Sequence, residues 1–146
     1  TATTLPEMAG VGDDFDICAS VPPLDVINAQ LTEPATQLVE LERGPGFAIC
    51  EANGGEVDNV QFQRLTDATR ELSIELANEL GATVTDLSDP PDGFAYSGAA
   101  AVVIDGVEWT VQAITWDTIG DPDSPAAIER SATLLRAWLA QMGITP

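Results

Sequence analysis

The chain contains no histidine and no lysine. Without histidine there is no Ser-His-Asp or Cys-His relay and no imidazole to ligate a metal. Without lysine there is no Schiff base, no Ser-Lys dyad and no phosphate-gripping P-loop lysine. Five arginines face 24 acidic residues, a formal net charge of −19. Nucleic-acid phosphates and anionic membrane surfaces both need basic patches, so neither is expected as a direct partner. Long apolar runs are missing too. The longest, Ala99 to Ile104, is far too short to cross a bilayer. Cysteine is limited to Cys18 and Cys50, with no CxxC, which argues against zinc. A disulfide and a pair of buried free thiols are both open for these two.

What is present describes a globular domain. The 146 residues are 45% hydrophobic, enough for one core that needs no staples. The acids are spread along the chain rather than blocked. That pattern favours a solvated surface over steering of a basic protein partner or adaptation to high salt.

The best-specified stretch is Tyr96 to Trp116. Two strand-like runs flank Asp105-Gly106, a pair suited to a two-residue type I′ turn because both positions take φ > 0. Such a turn sets Ile104 opposite Val107, Val102 opposite Trp109 and Ala100 opposite Val111, all on one apolar face. The other face carries Val103, Ala101, Glu108, Thr110 and Gln112, mixed and only partly buried.

Taken in order, residues 1–15 read as a flexible leader and 16–146 as a single domain. Ser20-Val21-Pro22-Pro23 leads into a short helix from Leu24. Thr36–Glu42 and Phe47–Ala52 read as a hairpin around Arg43-Gly44-Pro45-Gly46, and Val57–Arg64 as a further strand. Thr66 is placed to cap a helix through Leu80, with Gly81 ending it and Leu65, Leu72, Leu76 and Leu80, with Ala68 and Ala77 nearby, as its apolar stripe. Ala82–Leu87 reads as a short strand. The last helix has Ser124 as N-cap, Pro125 at its first position and Gly143 past its end. Its stripe is Ile128, Ala132, Leu135, Trp138, Leu139 and Met142. The expected fold is α+β: a mostly antiparallel sheet of five to six strands, a short N-terminal helix, and a long middle helix and a C-terminal helix packed on the sheet.

Asp16-Ile17-Cys18 running into Pro22-Pro23-Leu24-Asp25-Val26, followed by Ile49-Cys50-Glu51, resembles a family of secreted actinobacterial lipoproteins of unknown function. The wider group resembles the PsbP-like α/β/α sandwich. The resemblance implies an exported, cell-envelope, lipid-anchored domain with a Cys18–Cys50 bridge, and it supplies no catalytic residues.

Chemistry is otherwise scarce. Paired carboxylates are the one catalytic device left, and among 24 acids some pair will sit at a workable distance by chance. No enzymatic activity and no cofactor is expected. Asp86, Asp89 and Asp92 before Gly93, and Asp121 with Asp123, lack the spacing of a calcium loop and read as turn residues; no metal is expected. Trp109 and Trp138 fall on apolar faces and belong to the core. Trp116, with Tyr96 and Phe94, is the candidate binding surface. The expected function is a non-catalytic extracytoplasmic domain that binds a protein partner or a small apolar ligand held between sheet and helix. A small acidic inhibitor or immunity-type protein that caps a basic enzyme is the alternative.

Overall fold

The computed structural model describes residues 15–87, 93–116, 120–121 and 124–144. Two short helices open it, α1 (Ile17–Ser20) and α2 (Leu24–Asn28). The strands β1 (Gln37–Gly44), β2 (Phe47–Asn53) and β3 (Asn59–Thr66) follow, then α3 (Arg70–Glu79). After these come β4 (Thr85–Asp86), β5 (Gly93–Tyr96), β6 (Ala99–Ile104), β7 (Val107–Ile114) and α4 (Pro125–Met142). The strands form one sheet in the order β1-β2-β3-β7-β6-β5-β4, and every neighbouring pair is antiparallel. The fold is thus α+β, with the C-terminal helix on the sheet.

Seven strands stand where five to six were expected, because the stretch before Ala99 folds back on itself. Ser97 and Gly98 take φ of 44° and 77° and turn β5 into β6. A Ser-Gly pair is a turn signal in its own right. The hairpin around Asp105-Gly106 forms as expected, with φ of 52° and 80° and the register Ile104↔Val107, Val102↔Trp109, Ala100↔Val111.

One sheet face makes the core. Phe62, Val102, Trp109 and Val111 meet Leu135, Trp138 and Leu139 of α4, and Ile104 and Met142 pack at the margin. Trp138 stands edge-on to both Phe62 (5.3 Å) and Trp109 (5.2 Å), a favoured arrangement for aromatic pairs. Its indole Nε1 donates to Ser20 Oγ at 3.0 Å, tying α4 to α1. Ser131, fully buried on α4, accepts from Ala113 N at 3.0 Å and donates to Gly98 O, so its hydroxyl is satisfied on both sides. Ser124, Pro125 and Gly143 cap and end α4 as their types predict.

Cys18 and Cys50 form a disulfide between α1 and β2, their Cα atoms 5.3 Å apart. Phe15, the last residue of the expected leader, lies against Trp109 and under the Arg64 guanidinium at 4.5 Å. Residues 1–14 are outside the described part of the chain.

A second clasp joins the turn after α2 to the start of β3. Asp58 Oδ2 accepts from Thr32 N, Thr32 Oγ1 and Glu33 N, while Glu33 Oε1 accepts from Val57 N and Asp58 N. Burial would raise the Asp58 pKa, but these bonds and the Arg130 charge outweigh it and hold the carboxyl below its usual range. The stability it contributes is present above the ordinary aspartate pKa and lost as pH falls through the lowered one.

The middle helix departs from expectation. Thr66 ends β3, donating its N–H to Gly46 O at 2.8 Å, and lies four residues before the helix begins, so it is not the cap. Asp67 turns the chain at φ 57°, and Thr69 is the cap, its side chain accepting from Leu72 N at 3.1 Å. The helix is ten residues long.

Candidate functional site

The sheet face away from α4 carries alternate residues of β3, β5, β6 and β7, and α3 lies over part of it. The side of α3 turned inward is Ser73 and Ala77, both buried. The leucine row read as the packing stripe is at the surface instead: Leu72, Leu76 and Leu80 are 43%, 46% and 84% exposed. The longer leucines are displaced to the lip.

Between α3 and the strands runs a cavity of about 180 Å³. Leu65, Leu76, Ala77 and Leu80 form its apolar wall, and Tyr96 and Glu108 its polar floor. It shares Gln63 and Tyr96 with a smaller recess of about 60 Å³ that reaches Thr110 and Gln112. Apolar walls with a few convergent polar groups are the usual anatomy of a ligand site.

Glu108 is the unusual residue. It is the second residue of β7, opposite Val103 on β6 and Leu65 on β3, and is only 6% exposed. Thr110, equally enclosed, donates to Glu108 Oε1 at 2.9 Å. The alternation of the hairpin places both on the mixed face, but the depth of burial comes from α3, which sequence alone does not position there. A lone carboxylate between apolar neighbours at the Val107-Glu108-Trp109 step was the signal available.

The structure brings two of the three candidate aromatics together. Phe94 and Tyr96 stack at 6.0 Å on this same face, with Phe94 fully buried and Tyr96 at the cavity. Arg70 holds its guanidinium 5.9 Å from the Phe94 ring and pairs with Asp86. Trp116 is 60% exposed beyond the end of β7. Among the described residues no ring contact joins it to Phe94 or Tyr96. Asp89, Asp92 and Asp123 are outside the described residues, and among those described no cluster of three or more potential ligands could hold a metal.

Burial, aided by the Glu108 charge, pushes the Tyr96 phenol up to about 12, against a smaller opposing effect of its hydrogen bond with Thr110. Tyr96 is the sole tyrosine, so its titration can be followed by phenolate absorbance without ambiguity. The expected midpoint is about 12 in the folded protein, against about 10 in urea. Because the folded value is raised, the associated stability is full below about pH 10 and is lost as pH climbs through the folded pKa. Glu108→Gln should bring the midpoint part of the way down. A folded-state midpoint near 10 would place Tyr96 in water and dissolve the floor of the site.

Comparison with protein-family models, with curated proteins and with solved structures gives no match to this chain.

Proposed function

We propose that the chain is a non-catalytic, exported binding domain of the cell envelope whose ligand occupies the groove between α3 and the sheet. The observation that carries this reading is the cavity itself, walled by Leu65, Leu76 and Leu80 and open at a helix whose Leu72, Leu76 and Leu80 are exposed. Contiguous exposed apolar surface of this kind marks a binding site more often than it decorates a monomer. The Cys18–Cys50 disulfide supports an oxidising compartment, and no helix among the described residues is long and apolar enough to cross a membrane.

Nile red, a neutral apolar dye, tests the groove without knowledge of the natural ligand. Its fluorescence should rise and saturate with the purified domain. Gln63→Trp, which fills the groove from the sheet side where a strand accepts an aromatic, should abolish the rise while leaving the circular dichroism unchanged. Equal dye binding by the variant would locate the site elsewhere.

The second reading, an acidic inhibitor of a basic enzyme, is favoured by one feature. Trp116 offers an exposed aromatic anchor on a strongly acidic molecule.

A further inference from the structure

We infer that the groove selects a cation carried on an apolar arm, an alkylammonium or guanidinium group, with Glu108 as its counter-charge. The inference rests on the groove reading above and specifies what the groove recognises.

A glutamate as enclosed as Glu108 is ordinarily matched by a cation, since a buried charge without one is costly. Among the described residues none is supplied. The chain's sole basic side chains are five arginines, and each is engaged elsewhere. Arg43 pairs with Glu40, Arg70 with Asp86 and Arg136 with Glu129. Arg64 lies against Phe15 and Trp109 on the opposite face, and Arg130 donates to Thr115. The one described hydrogen bond to the Glu108 carboxylate comes from the neutral Thr110 hydroxyl.

The surroundings define the rest of the ligand. Leu65, Leu76 and Leu80 wall the approach to Glu108, and the Tyr96 ring stands at the same floor. An ammonium or guanidinium group seated at Glu108 would place its carbon arm against these leucines. The Tyr96 face adds a second attraction for a cation. A neutral or anionic head on the same arm would gain the apolar contacts without the charge pairing. The net charge of −19 draws cations towards the molecule in general, but it cannot by itself discriminate among seats on the surface.

The test is a nitrogen-15 NMR titration of the intact domain, at physiological ionic strength, with butylammonium, butanol and butyrate. Butylammonium should shift the Glu108, Thr110 and Leu76 amides saturably. Butanol should bind the same residues at least tenfold more weakly, and butyrate should leave them still. Glu108→Gln should lower the butylammonium affinity about tenfold and leave butanol unchanged. Glu56→Gln removes the same unit of charge from an exposed loop and should change neither. N-acetyl-lysinamide and N-acetyl-argininamide separate the possible sources. Tighter binding of these than of butylammonium assigns the cation to a protein side chain, and the reverse order to a free amine. Equal binding of butanol and butylammonium in the groove would overturn the cation while leaving the groove intact. Shifts confined to exposed acids, or lost equally in Glu108→Gln and Glu56→Gln, would also overturn it. Failure of the groove itself reads out separately, as Nile red binding that Gln63→Trp does not touch.

Discussion

Trp138→Ala is expected to destabilise the whole domain by about 3–5 kcal/mol, the usual range for truncating a large aromatic in a core. Trp138 is fully buried, and its ring meets β3 through Phe62 and β7 through Trp109. Its Nε1 reaches α1 through Ser20. Removing it empties the seam between α4 and the sheet and frees the helix that carries Cys18. Trp138→Phe keeps most of the ring but loses the bond to Ser20, and should cost clearly less than the alanine. Trp116→Ala, at an exposed position, should fall within about 0.5 kcal/mol of the parent. Urea titrations followed by circular dichroism compare all three through their midpoints. A Trp138→Ala variant as stable as Trp116→Ala would mean that α4 is not docked, and its apolar stripe would then be the binding surface.

Loss of the disulfide is the second large effect. Cys18 and Cys50 are 32 residues apart, and closing a loop of that length is worth about 3–4 kcal/mol in the chain-entropy account. Replacing both by alanine should lower stability by an amount of that order and raise the mobility of α1. Intact-mass measurement with and without reductant, after alkylation, establishes the bond directly. Two thiols that alkylate freely in the unreduced native protein would remove the bridge and, with it, the support for an oxidising compartment. Combined with Trp138→Ala the costs should add to less than their sum, because both changes release α1.

Much of the architecture was legible because it is local. Asp105-Gly106 demands positive φ at two successive positions, so the β6–β7 turn and its register follow from two residues. Ser124, Pro125 and Gly143 mark both ends of α4 by the same kind of constraint. The period of Leu135, Trp138 and Leu139 gives its buried face, and that face meets Val102, Trp109 and Val111 as anticipated. The Cys18–Cys50 bridge, by contrast, was one of two options the residues left open, since two cysteines in a chain of this length are compatible with free thiols as well.

The middle of the chain resisted for a physical reason. On α3, Leu72, Leu76 and Leu80 form one row at helical spacing and Ser73 with Ala77 forms the next. Hydropathy prefers the leucines, yet the helix encloses its small row and leaves the leucines at the surface, and both rows share the same helical period. Thr66 was mistaken for a cap because its hydroxyl suits one. It is the last residue of β3, and the helix starts only at Arg70.

The sequence by itself therefore determined the class, the acidic character, the turns, and the core face of the hairpin and terminal helix, all of which depend on residues close along the chain. Only the tertiary structure decided that α3 lies over the second sheet face with its leucines outward. That placement encloses Glu108 and stands Tyr96 beside it, and it brings α3 together with residues of β5 and β7 far along the chain, which no local period encodes.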